Sequence, residues 1–284
     1  MNNLHRYKNY INVSKFESIN SDLLPSKYNN LFYTKTDFLK MLDQVLYFYY
    51  DEYGIKFLGY GAEGNAFRVK SKDGTKVLKL TKREDEASEI TKVRKHHISG
   101  LVDYYDVRQV IDIDDVYVTI YSILMEKLDN LDYLEKTVWS FLRGYFFNLR
   151  EFSNKINLVV DGTNIDYNKF LKTNNIERLN NIYEKFRNHR KKSRFGFGVP
   201  QINQIADNIE LELMIKDEAY KKMLEYYKTF CDLVNDAVKY KLKMRDFHTD
   251  NAGKDENGNL KFYDVLYNDS YIRDFKLKSI KITL

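Results

Sequence analysis

The chain has 284 residues, of which 31% are charged, and its 46 lysines and arginines exceed its 41 aspartates and glutamates, so the formal net charge is +5. This length fits one large domain or two small lobes, and so mild a charge is not that of a dedicated DNA-binding protein. A hydrophobic content of 43%, with only 12 glycines and 2 prolines, excludes a disordered or fibrous chain.

Cysteine content and hydropathy indicate the compartment. The single cysteine, Cys231, excludes a disulfide framework within the chain. No apolar run approaches the ~18 residues of a membrane span, and the first residues lack the apolar core of a secretory signal. The sequence therefore predicts a cytoplasmic protein without membrane contact, in the host cytoplasm if a virus encodes it.

The predicted elements change in character along the chain. Residues 1–50 form an extension that ends in a helix over 36–50. Residues 51–125 are mostly strands with one helix over 83–95, and residues 126–284 are mostly helical. The predicted strands of the second region are 55–58, 66–70, 77–80, 101–111 and 116–125. The predicted helices of the third region are 131–152, 166–172, 176–190 and 208–240, followed by a hairpin over 252–265.

A glycine-rich segment follows the first predicted strand. Gly59, Gly61 and Gly64 stand in the order G-x-G-x-x-G, which binds phosphates in two different folds. Because the glycines lie between two predicted strands and no helix follows, the context favours the flap of a kinase over a Rossmann unit. An ordinary glycine hairpin is the alternative.

Lys79 lies on the third predicted strand, one hairpin after these glycines. A lysine in an apolar strand is usually solvated, but this spacing lets an ammonium group reach nucleotide phosphates. Such a lysine needs a carboxylate partner from the next helix. Glu86 is preferred because Ile90 and Val93 then pack inward on the same helical face, and Glu89 is the alternative.

A polar segment near the end of the chain carries three further candidates. Asp246 and Asn251 have the D-x-x-x-x-N spacing, which puts a base and a metal-binding amide on one loop. Asp264 follows at the end of the predicted hairpin, where its carboxylate offers the oxygen ligands that Mg²⁺ prefers. The alternative is a polar loop with an ordinary capping aspartate.

Taken in this order, these residues resemble the protein-kinase-like superfamily, which includes protein kinases and the aminoglycoside and choline phosphotransferases. The resemblance covers about 57–128 and 236–266. The segment 244–251 is more similar to small-molecule phosphotransferases and short bacteriophage-encoded kinases than to eukaryotic protein kinases. The resemblance implies an α+β, bilobal kinase-like fold, with a small antiparallel β N-lobe containing one helix and a larger, mostly helical C-lobe truncated after the metal-binding aspartate.

The resemblance also implies ATP and Mg²⁺ as cofactors. The three glycines would cover the phosphates, Lys79 would pair with Glu86, and the backbone from Glu126 to Leu128 would take the adenine. These positions form the expected nucleotide site.

The expected catalytic group lies on the later segment. Asp246 would orient or deprotonate the acceptor hydroxyl, and Asn251 and Asp264 would hold Mg²⁺. His248 stands where protein kinases carry a lysine two residues after the base, and it is a further catalytic candidate. Met244 replaces the usual histidine of this loop.

The chain departs from protein kinases after Asp264, because no D-F-G glycine follows and only a short segment remains. No activation loop is therefore expected, and residues 129–240 must supply the acceptor surface. A serine or threonine of a protein is slightly favoured as the acceptor over a small molecule. A pseudokinase that inhibits a partner protein and an enzyme that transfers AMP are the other hypotheses.

A basic cluster lies in the predicted helical region, over Arg187–Arg194. Most such clusters are solvated helix ends. The alternative is a surface for an acidic partner or nucleic acid, whose binding would weaken with salt.

Overall fold

A computed structural model of the chain describes residues 35–60, 64–112, 120–147, 176–184 apart from 178 and 182, 216–267 and 277–283. These residues form a mixed α+β structure whose main sheet is largely antiparallel. The four long helices are α1 (Lys35–Tyr49), α2 (Glu84–Val93), α3 (Tyr133–Phe147) and α4 (Asp217–Tyr240). The strands are β1 (Tyr53–Tyr60), β2 (Gly64–Ser71), β3 (Gly74–Thr81), β4 (Tyr104–Asp112), β5 (Ile120–Glu126), β6 (Asp129–Asn130), β7 (Ala252–Lys254), β8 (Leu260–Phe262) and β9 (Ser279–Ile282).

The chain divides into two compact units. The first unit takes its described residues from 1–94, 104–127 and 272–284, and the second takes its own from 95–103 and 128–271. Each unit has a buried core and its own sheet, with six strands in the first unit and three strands (β6-β7-β8) in the second.

The first unit is built on a sheet with the strand order β1-β2-β3-β5-β4-β9. All its neighbouring strands are antiparallel except β4 and β9, which run parallel. Helix α1 buries Phe38, Leu42 and Leu46 against this sheet, and Ile280 and Ile282 of β9 belong to the same cluster. Helix α1, predicted as part of an N-terminal extension, and strand β9, which lies in the region predicted to be mostly helical, thus share the core of this unit.

Strand β3 is buried on both of its faces from Val77 to Thr81. Leu78 and Leu80 lie in the cluster with α1, whereas Lys79 points the other way, toward Glu86 of α2. The alternation predicted from the sequence is present, but both sets of side chains are buried because a helix covers each face.

The second unit packs α3 against α4. Asp132 and Glu135 form a capping box at the start of α3, with the two reciprocal backbone contacts at 2.8 and 2.9 Å. The ring of Phe146 on α3 stacks on Phe230 of α4 at 4.5 Å. Helix α4 is capped by Lys241, whose left-handed backbone (φ 54°) turns the chain into the segment that carries Asp246.

Most predicted elements agree with the described structure. The helices predicted over 36–50 and 83–95 are confirmed as α1 and α2, and the hairpin with Asn257-Gly258 at its turn is confirmed as β7–β8. The helices predicted over 131–152 and 208–240 are confirmed where they are described, as α3 and α4. The helix predicted over 166–172 lies outside the described residues, and strand β9 was not predicted.

Among the described residues, no helix is both long and apolar enough to cross a membrane.

Candidate active site

The first candidate group lies in the first unit and begins with the glycines. Gly59 lies on β1 and Gly64 begins β2, which pairs with β1 in antiparallel register, while Gly61 lies outside the described residues. A Cβ at Gly64 would come within 2.2 Å of the carbonyl oxygen of Leu80, whereas one at Gly59 would meet nothing within 4 Å. Gly64 is therefore required by the close approach of β2 and β3, whereas Gly59, the other described glycine of this segment, borders open space.

Lys79 and Glu86 form a buried ion pair, as the helical spacing predicted. The Lys79 Nζ donates to both carboxylate oxygens of Glu86 at 2.8 Å. The side chains keep 11% and 2% of their surface exposed, which excludes the solvated alternative for Lys79. Glu89, the alternative partner, forms an ion pair with Lys92 instead.

Burying this ion pair costs desolvation free energy, so the pair is not explained by fold stability alone. Removing two charges from water costs several kcal/mol per ion, and an apolar pair of similar volume is often as stable. The pair holds the ammonium group in a fixed place next to the strand that follows the glycines. A fixed ammonium group is suited to bind a phosphate.

The two residues expected near an adenine lie at the end of the same sheet and just beyond it. Glu126 is the last residue of β5 and pairs with Lys76 of β3. Leu128 belongs to the second unit, where its side chain lies close to Gly253.

The second candidate group lies in the second unit, where two chain segments pair. Met244 and Leu266 form an antiparallel bridge, and the Arg245 N–H donates to the Val265 carbonyl at 2.8 Å. Asp246 directly follows Arg245 and Asp264 directly precedes Val265, so the pairing brings together two segments that lie far apart in the sequence.

Both aspartates have unusual backbone conformations. Asp246 has φ 66° and Asp264 has φ 60°, and only one other non-glycine residue in the described part of the chain has a positive φ. That residue is Lys241, which ends α4. Left-handed conformations of this kind cost of the order of 1–3 kcal/mol each and cluster at functional sites.

Phe247 packs the loop against a cluster of aromatic side chains. Its ring meets those of Phe230 and Phe262 edge to face, at 5.2 Å in each case. Its carbonyl accepts a hydrogen bond of 3.0 Å from Trp139 Nε1 of α3. The neighbouring Asp246 side chain remains 52% exposed. The aromatic contacts therefore fix the backbone of the loop and leave the Asp246 carboxylate accessible.

His248 has a defined structural role in this loop. Its Nδ1 accepts the N–H of Asp250 at 3.2 Å and thereby caps the short 3-10 helix Thr249–Asn251. The other ring nitrogen, Nε2, lies 3.4 Å from Asp246 Oδ1. The imidazole therefore orders the loop and borders the carboxylate expected to act as the base.

Asn251 forms hydrogen bonds with both of the paired segments. Its Nδ2 donates to the Asp246 carbonyl at 2.9 Å, and its own carbonyl accepts the N–H of Tyr263 at 3.0 Å, one residue before Asp264. Since the amide nitrogen is engaged, the side-chain oxygen Oδ1 is the atom left for a cation. Burial, together with the charges of Asp264 and Asp250, raises the pKa of Tyr263.

Asn251 and Asp264 fit a Mg²⁺ site better than a site in which protein side chains supply every metal ligand. In the described part of the chain, no group of three or more histidine, cysteine, aspartate or glutamate side chains is arranged to hold a metal ion. Mg²⁺ is usually held by one or two carboxylates together with water and substrate phosphates. Asp264 and the Oδ1 of Asn251 would be its protein ligands.

Arg143 is a residue near this loop that the sequence analysis missed. Burial lowers the pKa of its half-buried guanidinium, and the charge of Asp246 opposes that shift. The i, i+4 spacing from Trp139 to Arg143 on α3 was the available signal. It could not be used, because Trp139 meets Phe247 across 108 residues of sequence.

The basic cluster Arg187–Arg194 lies outside the described residues. No protein-family model matches the chain, and no curated protein matches it either.

Proposed function

We propose that the chain is an ATP- and Mg²⁺-dependent phosphotransferase with a bilobal, kinase-like fold, which moves the γ-phosphate of ATP to a hydroxyl group. Lys79 and Glu86 serve the nucleotide phosphates. Asp246 serves the acceptor, and Asn251 and Asp264 are the metal ligands.

The observation that carries this proposal is the pairing of the segments around residues 244–251 and 263–267. It brings together the two segments that carry Asp246 and Asp264, and it ties Asn251 to both segments by backbone and side-chain hydrogen bonds. A polar turn does not require two aspartates with strained backbones together with an Asn251 amide held by a hydrogen bond. The buried Lys79–Glu86 pair gives independent support, because its ammonium group lies next to a glycine-bearing hairpin.

The chemistry requires positioning and charge neutralisation. Asp246 accepts the proton of the acceptor hydroxyl as the hydroxyl oxygen forms a bond to the γ-phosphorus, and the bond between that phosphorus and the bridging oxygen of ADP breaks. Mg²⁺, when bound, would supply positive charge that neutralises the phosphate oxygens. Asn251 keeps its amide oxygen oriented, because its nitrogen donates to the Asp246 carbonyl.

The acceptor is a hydroxyl of a protein serine or threonine or of a small molecule. The test incubates the purified protein with Mg²⁺ and ATP labelled at either the α or the γ position. Asp246→Asn is the variant, and Asp250→Asn is its matched control, since Asp250 lies on the same loop with 85% of its side chain exposed.

We expect γ-label to be transferred by the wild type and by Asp250→Asn, and a loss of ~10²–10⁴-fold in Asp246→Asn. Label on protein identifies a protein kinase, and label on an added aminoglycoside or choline identifies a small-molecule kinase. Transfer of α-label instead would replace phosphoryl transfer with AMP transfer. ATP binding without any transfer would support a pseudokinase, and the absence of ATP binding would overturn the proposal.

A further inference from the structure

The half-buried guanidinium of Arg143 has no function in the group described so far. Arg143 lies on α3, one turn beyond Trp139, and both side chains lie along the same side of the helix. Trp139 Nε1 donates to the Phe247 carbonyl at 3.0 Å, and α3 also contacts the 3-10 helix Thr249–Asn251. The helix is therefore fixed against the loop at the point where Asp246 is presented.

The start of α3 is also fixed, so the position of Arg143 is not that of a loose surface side chain. The capping box of Asp132 and Glu135 sets the first turn, and Lys254 Nζ holds the Glu135 carboxylate at 2.9 Å. Trp139 is completely buried. A helix anchored at its first turn and at its middle gives Arg143 a defined place beside the loop.

Arg143 forms no hydrogen bond or ion-pair contact with another residue in the described part of the chain, although it is close enough to Asp246 for their charges to interact. A partly buried cation is normally paired, because loss of hydration is costly. A guanidinium group has five donors in a planar fork that matches phosphate oxygens. A phosphoryl group placed next to the Asp246 carboxylate would give these donors a partner.

Other basic side chains near Asp246 are already engaged in the loop. The guanidinium of Arg245 stacks over the ring of Tyr267 at 4.7 Å. The imidazole of His248 caps the 3-10 helix through Nδ1. Asp246 and Asp264 add negative charge to these two segments, whereas a transferring phosphoryl group carries negative charge on three oxygens and requires nearby positive charge.

We infer that Arg143 is a further catalytic residue, which binds the equatorial oxygens of the γ-phosphoryl group while that group passes from ADP to the acceptor. This inference rests on the proposed function and extends it to a residue of α3. Arg143 forms no covalent bond and transfers no proton, and the proton of the acceptor goes to Asp246. Its donors stabilise the charge of the transferring group more than that of the ground state.

The test uses the full chain and measures binding of Mg²⁺-ADP by calorimetry, with and without tetrafluoroaluminate, a planar mimic of a transferring phosphoryl group. The variants are Arg143→Ala and Arg143→Lys. Lys136→Ala is the matched control, because it removes an exposed cation from the same helix. Thermal unfolding followed by circular dichroism confirms that each variant is folded.

In the wild type and in Lys136→Ala, we expect tetrafluoroaluminate to tighten ADP binding by ~10²-fold or more. In Arg143→Ala, ADP alone should bind as in the wild type and the additional gain should be lost, while Arg143→Lys should recover part of it. Turnover in Arg143→Ala should fall by about 10³-fold, with the KM for ATP unchanged.

An undiminished gain in Arg143→Ala, or no gain in the wild type that binds ADP, overturns the role of Arg143 and leaves the proposed function standing. A wild type that binds neither ADP nor ATP overturns the proposed function and this inference with it. Weaker binding of ADP alone in Arg143→Ala would instead assign the guanidinium to ground-state nucleotide binding.

Discussion

The ion pair of Lys79 and Glu86 allows nucleotide binding to be separated from stability. Lys79→Met leaves the Glu86 carboxylate buried without its main partner, which should cost about 3–5 kcal/mol of unfolding free energy. The double variant Lys79→Met/Glu86→Leu replaces both charges with apolar groups and should recover most of that loss. Urea unfolding followed by circular dichroism measures both effects.

The double variant also serves as the functional control. It should be folded and stable but should bind Mg²⁺-ATP at least ~10-fold more weakly than the wild type, because it lacks the ammonium group that meets the phosphates. A stable double variant with wild-type ATP affinity would remove Lys79 from the nucleotide site.

The left-handed backbone at Asp246 gives a second prediction for single residues. At φ 66°, a Cβ is costly by about 1–2 kcal/mol, whereas glycine adopts this conformation freely. Asp246→Gly should therefore be about 1 kcal/mol more stable than Asp246→Ala, although both variants should lose turnover. At Asp250, on the 3-10 helix, the order should reverse, with alanine more stable than glycine.

Urea midpoints of the four variants measure these differences. A stability order at position 246 that matches the order at 250 would show that the backbone at Asp246 carries no strain. The predicted order would mean that the carboxylate is kept at a conformational cost, which is typical of residues retained for function.

At the scale of elements, the two described glycines of the flap should differ. Gly64→Ala would place a Cβ 2.2 Å from the Leu80 carbonyl oxygen, so β2 and β3 must separate and Tm should fall by several degrees. Gly59→Ala has open space and should keep the wild-type Tm within about 2 degrees. Equal effects of the two substitutions on Tm would contradict the packing role of Gly64.

The β7–β8 hairpin depends on the carboxylate of Asp255. Burial alone would raise the pKa of this group, but hydrogen bonds from Asn259 and Asn257 and the charge of Lys261 lower it overall. A lowered pKa means that Asp255 stabilises the fold above its unfolded pKa of about 3.9, and that this contribution is lost as the pH falls through the folded pKa.

Asp255→Ala should therefore cost about 1–3 kcal/mol at pH 7, because the backbone N–H groups of Asn257 and Asn259 lose their acceptor. The difference between variant and wild type should shrink steadily below pH 4. Unfolding free energies measured from pH 7 down to pH 3 test this, and a difference that grows on acidification would contradict the direction of the pKa shift.

The features that the sequence predicted are those with local causes. Periodicity located α1 and α2 and selected Glu86 over Glu89, and Asn257-Gly258 marked the turn of the hairpin. These features depend on contacts within one element or between neighbours, so their signals lie within a short window.

The missed features depend on contacts distant in sequence. Strand β9 pairs in parallel with β4, and Arg143 gains its place through a contact that spans 108 residues. The sequence identified Asp246 and Asp264 by spacing, but the pairing of their two segments and their left-handed backbones depend on contacts between distant parts of the chain. Composition and periodicity carry no information about such pairing.

At the scale of the whole molecule, the chain returns to its first unit after passing through the second. Strand β9 joins the edge of the first sheet, and its Ile280 and Ile282 are almost completely buried. Gln44 of α1 exchanges two hydrogen bonds with the Thr283 backbone beside this strand. Residues from both ends of the described chain thus stabilise one core.

This arrangement predicts which unit responds when β9 is weakened. Ile280→Ala/Ile282→Ala should destabilise the first unit by at least about 2–5 kcal/mol, because each truncation leaves a cavity in a packed core. Lys281→Ala, an exposed substitution on the same strand, is the matched control and should change the unfolding free energy by less than about 0.5 kcal/mol.

The single tryptophan of the chain, Trp139, belongs to the second unit and so provides a local probe. If the units unfold separately, urea unfolding followed by circular dichroism should show an earlier transition in the double isoleucine variant, whereas tryptophan fluorescence should keep its wild-type midpoint. Midpoints that shift together would mean that the two units unfold as one cooperative body. An unchanged circular dichroism transition would show that β9 contributes nothing to the first core.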